Sequence, residues 1–352
     1  MHKHIIQRLY YSCDPGVSHY KLTLGRSLFL KVYKGKKEDY TNEINNYKRI
    51  TGIPDLNFCV PNKIAHFWIA NRGFIAYEFI AFKTLDDIIQ KEKVSVSTIR
   101  EIIKQIPQFL QLNNLKDTKK YPFKLYCGLF DKRKLNKINK HLIKIIYQIN
   151  TFSKATFGEV IFSDRNPRNI LCKGITTIHV DFEVIRNSSQ LFDLVKLIRN
   201  GQFFENNLKK LSSTKSYSKN KIVEHSRLFK SNTENGLVKY FFKQHGAKMS
   251  EEGKIYFQLA CLLVHTFYLF IYIDRWTKFH NHALLDRAAY HYCEIYVMQD
   301  ILNKQIKIIK DKHLECELTG FYSSLSPMLQ QTTRLFYSNK NLSKSLSNKI
   351  CW

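Results

Sequence analysis

Short runs rich in β-branched and aromatic residues open the chain. They cover Ile5–Ser12, Tyr20–Leu24 and Ser27–Tyr33, and they are punctuated by Asp14-Pro15-Gly16 and by Gly25. Runs of this composition bounded by Gly and Pro are typical of β-strands joined by turns. The pattern therefore predicts three strands within the first 33 residues.

A helical spacing follows over residues 37–50, where Glu43, Tyr47 and Ile50 recur every three or four positions. Two more strand-like runs come next, at 60–70 and 73–80, with a turn expected at Asn71-Arg72-Gly73. The sequence thus predicts five strands and one helix before residue 80.

The remainder of the chain reads as mainly helical. Thr84 is a candidate N-cap for the segment LDDIIQ, and apolar residues recur at helical spacing over 96–113, 135–150 and 250–312. Residues 210–235 are rich in Ser, Lys and Asn, which predicts an exposed loop. We expect an α+β fold with two lobes: a small antiparallel β lobe at 1–80 and a larger helical lobe at 81–337, followed by a polar tail at 338–352.

One apolar segment, Ile255–Ile273, is 19 residues long and could cross a bilayer by length alone. Gln258, His265 and Thr266 interrupt it, which favours a buried core helix of the helical lobe.

The chain of 352 residues carries a formal charge of +27, which suits phosphate-rich partners. Its Lys residues are scattered, however, and no nucleic-acid-binding module is recognisable, so no specific nucleic acid is expected. Eight cysteines form no CxxC pair and no ligand-like cluster. A reduced, cytoplasmic protein is the expectation.

The segment VIFSDRNPRNILCKGITTIHVDFEV, residues 160–184, concentrates candidate chemistry. Asp164 and Asn169 lie in a loop that contains Pro167, and a strand–turn–strand pattern then leads to Asp181. A hairpin here would bring the three polar side chains to one end. Phosphoryl transfer needs such a group, because one carboxylate orients the attacking hydroxyl while a second carboxylate and an amide oxygen hold Mg²⁺.

The spacing D-x4-N, followed by an apolar strand and D-F-E, resembles the catalytic core of the aminoglycoside phosphotransferase and choline kinase group, a branch of the protein-kinase-like fold. The resemblance implies that Asp164 is the catalytic base and that Asn169 and Asp181 are Mg²⁺ ligands. It also implies ATP as the phosphate donor.

The N-terminal part resembles the same group. Gly16 and Ser18 fall in the stretch GVSH, similar to the family's nucleotide-binding turn, and Lys31 falls where the family keeps its phosphate-contacting lysine. Glu43 matches the helix glutamate that pairs with that lysine. Backbone groups around Glu78 and Ile80 would then meet the adenine edge. These residues make 1–80 the expected nucleotide-binding lobe.

Two positions depart from the family pattern. Phe162 stands where a histidine is usual, two residues before the catalytic Asp, and His19 stands where Asn is common. Neither change removes a group that does chemistry, so an active small-molecule kinase is favoured. An inactive, nucleotide-binding scaffold and a basic nucleic-acid-binding protein remain the alternatives.

The acceptor substrate is not identified by these motifs. Cationic acceptors need an acidic or aromatic pocket. The acidic residues expected near the cleft of the helical lobe are few (Glu251, Glu252, Asp274 and Asp286), and the chain is basic overall. This tilts the expectation toward a neutral or anionic small-molecule hydroxyl acceptor, with at most weak contact to an anionic membrane or a glycan precursor.

Overall fold

The computed structural model describes most of the chain. The described residues are 5–10, 16–91, 96–112, 125–158, 160–174, 176–183, 185, 187–198, 233–280, 282–309 and 311–338. They form two compact units, one comprising Met1–Lys116 with Ile161–Arg186, the other Asp117–Val160 with Asn187–Trp352. The lobe boundary at residue 80 stays a prediction. The expected tail beyond Ser338 and the turn residues Asp14 and Pro15 lie outside the described residues, as does most of the expected loop at 210–235.

The first unit contains a five-stranded antiparallel sheet in the order β1-β2-β3-β5-β4. Its elements are β1 (Ile5–Tyr10), β2 (Val17–Leu24), β3 (Arg26–Lys34), helix α1 (Lys37–Thr51), β4 (Lys63–Ile69) and β5 (Arg72–Glu78). The prediction of five strands and one helix before residue 80 is confirmed.

The β4–β5 turn shares only Asn71 with the predicted turn Asn71-Arg72-Gly73, because Arg72 and Gly73 lie in β5. Ala70 and Asn71 form it, with φ of 46° and 59°, as a two-residue hairpin turn requires. Gly73 lies inside β5, where a Cβ would come within 2.5 Å of the Tyr40 ring and 2.8 Å of Trp68. This glycine therefore serves close packing under the sheet rather than the turn.

One face of the sheet packs on α1. The core there consists of buried side chains from three strands and the helix: Val17, Tyr33, Tyr40, Ile44, Ile75 and Tyr77. Side chains alternate across a strand, so residues two apart on β3 share this face. Lys31 and Tyr33 are both buried beneath it.

The same unit continues with β6 (Lys83–Thr84), α2 (Leu85–Lys91), α3 (Val96–Gln105) and a 3₁₀ segment, Ile106–Gln111. The hydroxyl oxygen of Thr84 accepts a hydrogen bond from the backbone N–H of Asp87 at 3.0 Å, which confirms the predicted N-cap. The α-helix expected over 96–113 changes to 3₁₀ at residue 106, since Pro107 cannot donate to an α-helical hydrogen bond.

A small second sheet, in the order β6-β7-β8, completes the first unit. Its hairpin consists of β7 (Ile170–Lys173) and β8 (Thr176–His179), paired with Ile170 opposite His179. A 3₁₀ turn, Pro167–Asn169, precedes β7. The predicted loop and strand–turn–strand arrangement is confirmed.

The second unit is helical. It contains α4 (Lys132–Phe157), α5 (Leu191–Leu197), α6 (Thr233–Gln244), α7 (Glu251–Phe279), α8 (His282–Ile309) and α9 (Lys312–Ser338). Residues 233–235, expected in a loop, belong to α6. Together with the antiparallel sheets of the first unit, these helices confirm the predicted α+β class.

Helix α7 is long and apolar enough to cross a membrane by length and composition, but 83% of its apolar window is buried inside the protein. His265 and Thr266 are fully buried within it. This burial agrees with the prediction of a core helix.

Candidate active site

Lys31 is the centre of a buried charged cluster in the first unit. It lies on β3, between His19 of β2 and Ile75 of β5 in the sheet register. Lys31 is only 3% exposed to solvent. An ammonium group at such a depth requires carboxylate partners, because desolvation of an unpaired charge is costly.

Helix α1 supplies the first partner. The Lys31 Nζ lies 3.0 Å from Glu43 Oε2, and both side chains are buried. The pair predicted from the sequence is therefore formed.

The segment after β8 supplies two more carboxylates. Lys31 Nζ lies 2.7 Å from Asp181 Oδ1 and 3.2 Å from Glu183 Oε2. Asn46 of α1 donates to the backbone carbonyl of Phe182, between these two acids, at 2.7 Å. The helix thus holds the backbone that presents both of them.

Electrostatics in this cluster favour a cation. Burial alone would lower the pKa of Lys31, but Asp181 and Glu43 raise it well above its usual value. Burial also raises the pKa of Glu183 to about 7, against the opposing influence of Lys31. One ammonium faces three carboxylates, so the cluster carries excess negative charge whenever all three are ionised.

Two tyrosines that the sequence analysis missed complete the cluster. The Tyr33 hydroxyl lies within hydrogen-bonding distance of Glu43 Oε2, 3.1 Å, and of Glu183 Oε2, 3.0 Å. The Tyr77 hydroxyl donates to Glu43 Oε1 at 2.8 Å. Burial raises the pKa of both phenols well above the usual value, which keeps them as donors. Tyr33 follows Lys31 by two residues, a strand period that could have revealed it.

The loop before β7 contains Asp164 and Asn169. Asp164 has a φ of 54° and Asp181 a φ of 69°, two of the six non-glycine residues with positive φ in the described chain. Such backbone conformations are uncommon outside glycine and cluster at functional sites. The backbone N–H of Val180 donates to the carbonyl of Asn169 at 3.0 Å, so the hairpin brings the predicted loop next to the segment of Asp181.

The amide group of Asn169 has a defined orientation. Its Nδ2 donates to the backbone carbonyl of Asp164 at 3.3 Å. This contact leaves the amide oxygen as the end that can serve a metal. The same carbonyl accepts from the backbone N–H of Asn166 at 2.6 Å, which tightens the turn.

The stretch GVSH is not a turn, which corrects the sequence expectation. Val17, Ser18 and His19 lie in β2 and pair with Tyr33, Val32 and Lys31. Only Gly16 belongs to the turn, because the apolar and aromatic side chains that follow it enter the sheet and its core.

His19, which departs from the family pattern, is a buried neighbour of Lys31. Its ring stacks on Phe29 with centroids 5.6 Å apart. Burial and the Lys31 charge lower the pKa of His19 to about 4. The side chain is therefore neutral at physiological pH.

The candidate adenine-contacting segment follows β5. The backbone N–H of Glu78 donates to Asn62 O at 2.9 Å and that of Phe79 to Ser27 O at 3.2 Å. The Glu78 carboxylate accepts from Asn62 Nδ2 at 2.9 Å. The Glu78 amide is therefore already used and does not face a nucleobase as a free donor. The roles of Glu78 and Ile80 stay predictions.

No protein-family model matches the chain, and no curated protein matches it by sequence. Solved structures do match it. A spectinomycin phosphotransferase in complex with ADP and spectinomycin has a TM-score of 0.44 at 12% identity, covering 91% of this chain and 92% of that one. The GDP and kanamycin complex of APH(2″)-IIia has a TM-score of 0.48 at 12% identity, covering 86% and 93%. An aminoglycoside-3′-phosphotransferase of type VIII has a TM-score of 0.40 at 12% identity, covering 72% and 92%. The chain is similar to aminoglycoside phosphotransferases.

A metal ion could be held where the acids converge. One oxygen each of Glu43, Asp181 and Glu183 can be chosen so that all three lie within 4.8 Å of one another. Such hard oxygen donors suit Mg²⁺. The sequence had assigned Asp181 and Asn169 to the metal, and the structure adds Glu183 as a neighbouring oxygen donor that it missed.

Proposed function

We propose that the protein is an ATP- and Mg²⁺-dependent phosphotransferase that acts on a hydroxyl group of a small molecule. The observation that carries this proposal is the contact set of Lys31 with Glu43 and Asp181. A lysine fixed by a helix carboxylate and placed beside a candidate metal ligand provides the charge that a triphosphate needs.

The residues divide into three roles. Lys31, held by Glu43, would contact the phosphates of the nucleotide. Asp181 and Asn169, with Glu183 nearby, would hold Mg²⁺, which when bound supplies neutralisation of the phosphate charge. Asp164 would accept the proton of the acceptor hydroxyl.

The proposed transfer needs no reactant other than ATP and the acceptor. The acceptor oxygen bonds to the γ-phosphorus while the bond between that phosphorus and the β,γ-bridging oxygen breaks. The hydroxyl proton passes to the Asp164 carboxylate, and ADP leaves with the bridging oxygen. Catalysis is then mainly positioning and charge stabilisation.

A neutral or anionic acceptor such as a sugar, or a glycan precursor, is part of this proposal, and it is supported by the basic composition. We also propose a cytoplasmic location. Cys59, Cys127, Cys172, Cys261, Cys293 and Cys316, the cysteines within the described residues, are free thiols. Such thiols suit a reducing compartment.

The test is phosphate transfer from labelled ATP to a panel of hydroxyl compounds, with wild type and Asp164→Asn compared. We expect the variant to lose about 10²–10⁴-fold in transfer rate, while ATP affinity stays near wild type because Lys31 and Asp181 remain. Asn45→Ala, a change of an exposed polar residue of α1 in the same unit, serves as the control. Nucleotide binding by wild type without transfer to any acceptor would support the scaffold alternative instead.

A further inference from the structure

Arg165, directly after Asp164 in sequence, is a buried cation enclosed by aromatic rings. It is 3% exposed. The centre of its guanidinium group lies 3.7 Å from the ring centroid of Phe109 and 5.5 Å from that of Phe58. Cations over aromatic faces are attracted electrostatically, more strongly when desolvated. The residue after the candidate base is thus anchored in the interior of its unit.

His179, at the end of β8, links this cation to helix α3. Its Nδ1 is in hydrogen-bond contact with Arg165 Nη1, and its Nε2 lies 2.6 Å from Gln105 Oε1. A guanidinium group only donates, so Nδ1 must accept and the ring proton must lie on Nε2. Burial and the Arg165 charge lower the pKa of His179 well below its usual value, in agreement with a neutral ring.

Gln105 is fixed in turn by Thr177 of β8. Gln105 Nε2 donates to Thr177 Oγ1 at 2.9 Å, and Gln105 Oε1 lies 3.1 Å from the same hydroxyl. Both side chains are buried. Backbone hydrogen bonds between Cys59 and β8 hold the strand itself, at 3.2 Å to Thr177 and 2.9 Å from His179. The chain of contacts from Arg165 through His179 to Gln105 therefore ends on a strand that is itself held by backbone hydrogen bonds.

We propose that the Arg165–His179–Gln105 relay is a positioning device that holds the loop of Asp164 and Asn169 in its active geometry. Asp164 has a left-handed backbone, which persists only where the surroundings hold it in place. The relay restrains the neighbouring residue, Arg165, and so provides this support. None of its three side chains is assigned a contact with reactants. The inference rests on the proposed phosphotransferase function and deepens it.

The test begins with His179→Phe, which keeps an aromatic ring against Phe58, where the centroids are now 4.6 Å apart, and removes both hydrogen bonds. Displacement of reacting groups by about 1 Å can cost on the order of 10²-fold in rate. We expect kcat to fall about tenfold to hundredfold, with KM for ATP changed by less than about twofold. In His179→Asn the amide oxygen can accept a hydrogen bond from Arg165. The kcat of this variant should therefore lie between those of His179→Phe and wild type.

A matched control separates positioning from general loss of stability. Asn139 in the helical unit is buried and exchanges two hydrogen bonds with the backbone of Leu125, at 2.8 Å and 3.0 Å. Asn139→Ala should lower the unfolding temperature about as much as His179→Phe while kcat stays unchanged. Equal losses of kcat in both variants would overturn the positioning role.

A second measurement does not depend on activity. Amide hydrogen exchange should become faster at Asn166, Asn169 and Val180 in His179→Phe, because the hydrogen bonds of these amides define the loop. The same amides should be unaffected in Asn139→Ala. Unchanged exchange in His179→Phe would overturn the relay. If wild type transfers no phosphate, the proposed function fails, whereas the exchange result still decides whether the relay holds the loop.

Discussion

The ammonium nitrogen of Lys31 lies 2.7 Å from a carboxylate oxygen of Asp181, a residue 150 positions later in the chain. A strand of the first sheet and the end of the small hairpin are joined by this contact. It links the residue proposed to bind phosphate with the residue proposed to bind metal, so changes at either are expected to affect nucleotide binding together.

The Lys31–Glu43 pair should behave as one unit. Lys31→Met and Glu43→Gln are each expected to weaken ATP binding, and the double variant should be little weaker than either single one. Residues in one ion-pair network show interaction energies of about 0.5–3 kcal/mol in such cycles. The interaction energy follows from the dissociation constants for ATP, measured by calorimetry, of wild type, the two single variants and the double variant. Lys34→Met, on the exposed end of the same strand, is the control, and additive losses would show that the two residues act separately.

Asp181→Asn should remove the Mg²⁺ dependence of ATP binding. Ligands that bind only the native state raise its stability by RT ln(1 + [L]/Kd), so ATP should raise the unfolding temperature of wild type more with Mg²⁺ than without it. The variant should show the same small shift in both buffers. Asp55→Asn is a matched control, since Asp55 also has a left-handed backbone, with φ of 51°. If ATP raised the unfolding temperature of wild type equally with and without Mg²⁺, the metal assignment would be contradicted.

Tyr77→Phe should lower the free energy of unfolding. The lost hydroxyl donates to the buried Glu43 carboxylate at 2.8 Å, and hydrogen bonds to charged groups contribute about 1.5–3 kcal/mol. Urea unfolding curves give the difference directly. Tyr20 lies on the opposite face of the sheet and is only partly buried as a residue. Tyr20→Phe should therefore change stability by less than about 0.5 kcal/mol. Equal losses in the two variants would argue against the tyrosine–glutamate contact.

Acid should destabilise the helical unit through His245. Its ring packs between Phe157 and Phe241, at centroid distances of 4.9 Å and 4.2 Å. Burial lowers the pKa of His245 from 6.5 to about 4, although its hydrogen bond to the Phe241 carbonyl opposes this. Between those values the unfolded chain binds the proton and the folded chain does not. Stability is therefore complete above about pH 6.5 and falls as pH decreases toward 4.

His245→Phe is the variant that tests this pH dependence. It keeps the ring packing and removes the titrating group, so the fall in unfolding free energy between pH 7.5 and 4.5 should be smaller than in wild type. An identical fall in both proteins would assign the acid sensitivity to other groups. Free energies from urea unfolding at the two pH values provide the measurement.

The sequence by itself determined the order of the elements and several members of the site. Strand composition, helical spacing and turn residues are local properties, so they located β1–β5, α1 and the β7–β8 hairpin. The resemblance to the phosphotransferase family also singled out Lys31, Glu43 and Asp181, which the structure brings together. The positions of the strands, helix and turns are the features that neighbouring residues decide among themselves.

Only the tertiary structure decided which distant residues complete the cluster. Tyr77 reaches Glu43 because of the β3–β5 register, and Glu183 reaches Lys31 because α1 holds the backbone at Phe182. The placement of Ser18 in a strand and of Gly73 beneath two aromatic rings followed from packing in the sheet, which overrode local turn preferences. The His179–Arg165 contact likewise arises from the pairing of segments across a hairpin. Such contacts depend on long-range register and burial, which local sequence patterns do not encode.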